Sequence, residues 1–588
     1  MLVLDEAHWA WDVLRAAKAQ AFNKLTLRKL AAEFMGTFML VFTVGCNVMA
    51  TKTDPTAQGV FVAISIAACL MITIYALGPV SGANFNPAVT LGVCMAGKMS
   101  APLGVLYIFT QILAGIIGSM SFYALYGAGI PFGPGVVRFS WYQVLSVEFL
   151  FTFMLVFTVL STACVKQGNQ YFGMAIGFVI IAGGNAAGWI SGGAFNPAVG
   201  IGLDASDWGS GFGWSMPYNI AQMLGGAAAA AAFRFVRSDE YGDNTEDTSW
   251  YKPVYKYTSP SYELLARQLV CEFIGTFFLV LTVGLNVLKG GKLDIEDPLN
   301  EAAVFSIAAS LMCMIYSVGP VSGAHLNPAV TLAVLLSQRN KISVRDAGCY
   351  VGVQVCGGLL AAVFYVFIAG GKTFDLGPYG SFTWSGVVVA EMVYTCLLCY
   401  VVLAVATVKD MSHSKDIFGL AIAFSVVAGG YAIGPVSGAC LNPSVSIAID
   451  TSYAVLHGGW WRCVIYTLIQ FTGALLAAGI FRVTHPDEFT DGALAHEMQI
   501  DVDESADKVL DLEMNVIVAD AEVKHALPVE EAKHALPAEE VKDTLAVTKV
   551  KHALPVKSNV VTDAKDTPAE DTPADREAVH QLPGPSTV

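Results

Sequence analysis

Gly78-Pro79-Val80-Ser81-Gly82-Ala83-Asn84-Phe85-Asn86-Pro87-Ala88-Val89-Thr90 returns 241 residues later as Gly319-Pro320-Val321-Ser322-Gly323-Ala324-His325-Leu326-Asn327-Pro328-Ala329-Val330-Thr331. Two further copies of its core, Asn196-Pro197-Ala198 and Asn442-Pro443-Ser444, lie 246 residues apart. Asn is a strong helix N-cap, and Pro suits the first helical position because its missing N–H is not needed there. Each copy therefore predicts a helix start, at Pro87, Pro197, Pro328 and Pro443. The apolar stretch after each is only about eight to ten residues, too short to cross a bilayer. A half-length helix inside a membrane must pack within protein or line a cavity.

Working outward, each Asn follows a Glu that opens a long apolar run: Glu33, Glu148, Glu272 and Glu391, at intervals of 53, 48, 55 and 51 residues. Twelve runs of spanning length are readable, near 30–50, 58–77, 103–126, 143–164, 171–188, 214–236, 267–288, 301–319, 346–369, 385–408, 417–433 and 460–483. The chain is thus a tandem of two six-helix units, and each unit is two halves. A half has three spans, so successive halves enter the membrane inverted. With a cytoplasmic N-terminus, Lys and Arg of residues 1–482 divide 18 inside to 6 outside, in line with the positive-inside rule. The expected fold is an all-α integral membrane protein. It has two units, each of six transmembrane helices plus two half-helices in inverted repeats, followed by a disordered C-terminal tail.

The expected organisation is a cytoplasmic N-terminal segment 1–27, unit 1 at 28–237, a cytoplasmic linker 238–262, unit 2 at 263–482 and an acidic cytoplasmic tail 483–588. Trp9, Trp11, Leu14 and Phe22 fit an interfacial helix or a frayed start. The first apolar run begins well inside the chain without a cleavage pattern, so a removable signal peptide is not expected. Of the net charge of −15, the tail holds −14, from 23 acidic and 9 basic residues, and the body only −1. Charged residues make up 14% of the chain, against about 25% in soluble domains, which excludes an ordinary soluble enzyme. No basic face exists to bind nucleic acid. The twelve Cys lie mostly in apolar runs, where they act as small hydrophobes; the mid-helix pair Cys396 and Cys399 lacks the further ligands of a zinc site.

Two inverted half-helices meet N-terminus to N-terminus near the midplane, each end equivalent to roughly +0.5 charge. Such a point repels cations, while the two Asn amides can donate to a neutral oxygen, which suits small uncharged solutes. With these residues in place, the chain resembles two fused aquaporins of the major intrinsic protein family, over about residues 28–237 and 263–482. The resemblance implies one pore per unit at Asn86-Pro87-Ala88 with Asn196-Pro197-Ala198, and at Asn327-Pro328-Ala329 with Asn442-Pro443-Ser444. It also implies a four-pore assembly, here a dimer of fused chains, with the lipid bilayer and small neutral solutes as partners and no cofactor.

Substrate is where the chain departs from the family. Members usually place Arg directly after the second Asn-Pro-Ala; here Val199 and Val445 stand there. By spacing, the other outer-filter positions are Ile66, Gly184 and Gly193 in the first pore and Ile307, Gly430 and Ala439 in the second. No aromatic, His or Arg is among them, so the expected filters are wide and apolar and the expected solutes are water, glycerol or urea. Asp204 and Asp450, eight residues after their Asn, either end the short helix at water or weaken cation exclusion at the mouth. Ser444 reads as a tolerated small residue able to bond within its helix, and Cys440 as a point of mercurial block. The four buried Glu read as supports for the irregular loops, a proton path being the other reading.

In the tail, residues 523–558 repeat every nine residues around His-Ala-Leu-Pro, and Thr567-Pro568 and Thr572-Pro573 are phosphorylation candidates. Ser586-Thr587-Val588 resembles a PDZ ligand, with an inert end as the other reading. No catalytic constellation is visible, so an enzyme is not expected. The reading is a channel for passive flux, multi-pass in the plasma or an intracellular membrane with both termini cytoplasmic. The rivals are a twelve-helix secondary transporter and a weakly conducting junction or scaffold protein.

Overall fold

The computed structural model describes residues 23–53, 61–131, 139–166, 168–210, 213–241, 260–289, 302–339, 341–409 and 416–489. Residues 1–22, most of the linker and the tail from 490, with its repeats and terminal Ser-Thr-Val, lie outside them. Unit 1 contains α1 (Lys24–Thr53), α2 (Val62–Ser81), α3 (Pro87–Met95), α4 (Ala101–Tyr126), α5 (Trp141–Ala163), α6 (Phe172–Ser191), α7 (Pro197–Ser206) and α8 (Ser215–Val236). Unit 2 repeats the order with α9 (Pro260–Val287), α10 (Ala303–Ser322), α11 (Pro328–Leu336), α12 (Val344–Ile368), α13 (Trp384–Ala406), α14 (Phe418–Ser437), α15 (Pro443–His457) and α16 (Arg462–Thr484). The face where α1 begins is called proximal and the opposite one distal.

Among the described residues, eleven helices are long and apolar enough to cross a membrane. The twelfth run forms α8, which has the length but carries Asn219, Gln222 and Arg234 and a stretch of six Ala, Ala227–Ala232. Small side chains there serve packing: a Cβ on Gly226 would lie 2.6 Å from the Ala88 carbonyl of α3. On α4, a Cβ on Gly115 would lie 2.4 Å from the Ala198 carbonyl of α7, so both half-helices sit directly against backbone. The helices α2, α6, α10 and α14 all stop at a left-handed Gly (Gly82, Gly192, Gly323, Gly438; φ 81 to 90°), a conformation that Gly adopts without a Cβ clash. That stop turns the chain into each Asn-Pro loop.

The units pack side by side, α10 of unit 2 against α6 of unit 1. Ser306 Oγ donates to the Ala182 carbonyl at 2.9 Å, and Gln143 Nε2 donates to the Ile368 carbonyl at 2.8 Å. The ring pairs Phe153–Phe278 and Tyr171–Tyr316 continue the seam. Ala175, Ala308, Met312, Tyr316 and Ala423 form one buried cluster across it.

On the proximal face, a carboxylate after the last helix of each unit ties three connections together. Glu240 accepts from Lys98 Nζ at 3.0 Å, from Arg237 Nη2 at 3.0 Å and from the Lys166 N–H at 3.2 Å. Glu488 accepts from Arg339 Nη1 at 3.0 Å and from the Lys409 N–H at 3.0 Å, while Arg339 also bonds Thr407. Rings complete both clamps: the Arg234 guanidinium lies 4.6 Å from the Tyr241 ring centre, and that of Arg482 lies 5.0 Å from Phe489. Burial alone would raise the Glu240 pKa, but the Lys98 hydrogen bond, the Lys166 N–H and the charges of Lys98 and Arg237 hold it below its ordinary value. A depressed carboxylate stabilises the fold above its unfolded pKa of about 4.3 and loses that contribution as pH falls through its folded value. Thermal unfolding of wild type and Glu240→Gln is therefore expected to differ at pH 7 and to converge on acidification below about pH 4.

Candidate permeation sites

The four Asn-Pro copies begin helices at the expected prolines. Each Asn side chain caps its own helix: Asn86 Oδ1 accepts from the Ala88 N–H, Asn196 from Ala198, Asn327 from Ala329 and Asn442 from Ser444, all at 2.8–2.9 Å. The amide nitrogen crosses to the opposing loop. Asn86 Nδ2 donates to the Phe195 carbonyl and Asn196 Nδ2 to the Phe85 carbonyl, both at 2.9 Å. Asn327 with Leu441, and Asn442 with Leu326, repeat this reciprocal pair at 2.9 Å. An amide has two N–H groups. One is consumed by the cross-link, leaving the second N–H of each Asn outside that bond.

The loops before each Asn hold non-glycine residues at positive φ: Ala83 and Phe85, Phe195, Ala324 and Leu326, Ala439 and Leu441. Such conformers cost of order 1–3 kcal/mol each and persist only where the surroundings fix them. The buried Glu does the fixing. Glu33 accepts from Ser81 Oγ and the Asn84 N–H on one oxygen, and from the Phe85 N–H and Gln111 Nε2 on the other, at 2.7–3.0 Å. Glu148 takes Ser191, Ala194, Phe195 and Gln222; Glu272 takes Ser322, His325, Leu326 and Gln354; Glu391 takes Ser437, Cys440, Leu441 and Gln470. All four carboxylates are fully buried and spend their acceptor sites on loops, which favours the supporting role over a proton path.

Each pair of half-helices opens onto a cavity, of about 550 Å³ in unit 1 and about 160 Å³ in unit 2. Asn86, Asn196, Ile66, Gly184, Gly193 and Val199 line the first. Asn327, Asn442, Ile307, Gly430, Ala439, Val445 and Cys440 line the second. The residues Pro87, Ala88, Pro197, Ala198, Pro328, Ala329, Pro443 and Ser444 are buried in the helix starts behind the Asn side chains and are outside both linings.

Four points differ from the sequence reading or extend it. Asp204 is buried and caps α8, accepting from the Gly213 and Ser215 N–H groups and Ser215 Oγ, and Asp450 likewise accepts from the Cys463 N–H at the start of α16. Neither lines a cavity, because each neutralises orphan N–H groups of the next helix. The helix α15 runs for 15 residues, past Asp450, rather than stopping after eight to ten. Ser444 Oγ has no hydrogen-bond partner among the described residues, so the bond within its helix is absent. Aromatic residues do reach the cavities: Trp189 lines the first, Phe374 and Tyr379 the second. Trp189 has a sequence signal, since Gly-Trp-Ile-Ser replaces the Gly-Pro-Val-Ser of the other three copies. Phe374 and Tyr379 come from the α12–α13 connection, which carries none.

The family model described as "Major intrinsic protein" matches residues 20–208, 168–283 and 256–481. "Aquaporin NIP1-1" of Zea mays is 30% identical over 241 residues, 40% of this chain and 84% of that protein. "Glycerol uptake facilitator protein-like 6" of Lactiplantibacillus plantarum is 33% identical over 233 residues, 36% of this chain and all of that one. Among solved structures, the aquaglyceroporin from Plasmodium falciparum matches at 18% identity and a TM-score of 0.33, over 38% of this chain and 98% of its own.

Two outcomes follow from the geometry. Glu148→Leu leaves two N–H groups, a hydroxyl and an amide without their acceptor, each worth about 1–3 kcal/mol. A large drop in the thermal transition in detergent is expected, with a smaller one for Glu148→Gln, which keeps one acceptor oxygen. Cys440 lines the second cavity and no Cys lines the first, so an organomercurial is expected to remove only part of the water flux. Cys440→Ser should abolish that inhibition in stopped-flow swelling.

Proposed function

Because the chain belongs to the major intrinsic protein family, we propose that it is a covalently fused pair of channels for passive flux of water and small neutral solutes such as glycerol or urea. The observation that carries this is the reciprocal Asn pair, which leaves one N–H per Asn at the wall of an otherwise apolar cavity in each unit. A solute hydroxyl or carbonyl oxygen accepts there, while two opposed helix N-termini disfavour a cation. Ile66, Gly184, Gly193 and Val199 act as the first outer filter, and Ile307, Gly430, Ala439 and Val445 as the second. With Val in place of Arg, both select by size and apolarity. The larger first cavity favours it as the main route for glycerol-sized solutes. Both termini are assigned to the cytoplasm, on the 18 to 6 division of basic residues.

The same reading makes the working assembly a dimer of chains with four pores. Ala309 and Cys313 of α10 are buried between the units, whereas their unit 1 counterparts Ala68 and Ile72 are exposed, Ile72 by 59%. Conversely, Leu150 and Met154 of α5 are buried while their counterparts Val393 and Leu397 of α13 are exposed. A second chain placed head to tail would cover both open faces with the contact already present inside the chain. Two heterologous contacts of this kind close a ring.

Proteoliposome swelling tests the reading: wild type should pass both water and glycerol. Val199→Arg should remove most of the glycerol flux and Val445→Arg little of it, with water flux largely kept in both. Water-only permeation by the wild type would overturn the wide-filter assignment, and saturable ion-coupled uptake the channel itself.

A further inference from the structure

The distal mouth of the first cavity is not built by unit 1 alone. Beside Ile130 and Pro131 of the α4–α5 connection, its lining includes Lys52, in the last turn of α1, and Lys289, which follows α9 and belongs to unit 2. Among the described residues neither ammonium has a hydrogen-bond acceptor or a carboxylate partner. Lys289 is half-buried, and desolvation lowers its pKa from the ordinary lysine value. A partly desolvated charge that no described residue pairs is unfavourable for the fold, so packing among the described residues does not account for it. Nor does it follow from the repeat. The sequence Val283-Gly284-Leu285-Asn286-Val287-Leu288-Lys289 matches Val44-Gly45-Cys46-Asn47-Val48-Met49-Ala50, so Lys289 stands where unit 1 has Ala50. Among the described residues, no Lys or Arg lines the second cavity.

We propose that Lys289 and Lys52 form a cationic collar at the mouth of the first pore, with unit 2 supplying in trans the charge selection that Val199 does not provide. The collar rests on the reading of the first cavity as a conduit. Two like charges lining one mouth repel an entering cation and leave a neutral solute unaffected. Monovalent organic cations are excluded there, and the second pore, without such a collar, selects by size and by its helix N-termini alone.

The test is flux of methylammonium and of glycerol through the full chain in proteoliposomes, read as their ratio. Lys289→Glu is expected to raise the methylammonium-to-glycerol ratio on the order of tenfold, and Lys289→Arg to keep the wild-type ratio. Lys289→Ala gives an intermediate ratio and guards against misfolding of the charge reversal. Unchanged ratios in both Lys289→Glu and Lys289→Ala, with glycerol still conducted, would overturn the collar. Absence of glycerol and water flux in the wild type would instead overturn the conduit reading, and the collar with it.

Discussion

Everything about the pores depends on one carboxylate per half that takes over the hydrogen bonding of a loop unable to satisfy itself. In hydrocarbon an unpaired N–H is costly, so a non-helical segment at mid-depth needs an acceptor that stays in place. Glu33, Glu148, Glu272 and Glu391 each offer two oxygens and bind the same four donors: a Ser at the end of the preceding helix, two consecutive loop N–H groups and a Gln from a neighbouring span. That bond set holds the positive-φ residues, which in turn place the Asn. The Asn then uses its carbonyl for its own helix and one N–H for the opposite loop. Remove the carboxylate, and the loop N–H groups and positive-φ residues that place each Asn lose the acceptor that holds them.

Much of this chain of dependence was readable because it is local. An Asn before a Pro is a helix start by its own chemistry, and four copies at near-constant spacing disclose the inverted halves without any tertiary knowledge. The Gln partners were not readable, since Glu33 and Gln111 lie 78 residues apart and nothing but the fold brings them together. The proximal clamp was missed for the same reason: Lys98 and Glu240 are separated by 142 residues. Asp204 and Asp450 do not end their own helices, since α7 reaches Ser206 and α15 His457, and their capping of the helix that follows was not readable because the return path of the connection decides it. The length of α15 was not readable either: it continues to His457, about two turns past Asp450, where a count of apolar residues would end it.

The two units share a plan but not their walls. Trp189 enters the first cavity where the other three copies of the loop have Pro, and His325 lines the second where the first unit has Asn84. The α12–α13 connection brings Phe374 and Tyr379 to the second cavity, which is the smaller of the two. The Asn positions, by contrast, are the same to within 0.1 Å in their cross-loop bonds. Divergence sits in the linings, while the bonds that build each conduit are kept.

The seam between α6 and α10 acquires another meaning once the units are on one chain. Separate units of two kinds would associate by chance, in any ratio and any order. A peptide linker removes that freedom. It sets the stoichiometry at one to one and makes the end of α9 a permanent neighbour of the first cavity, so the composition of every pore's surroundings is inherited with the chain rather than decided at assembly.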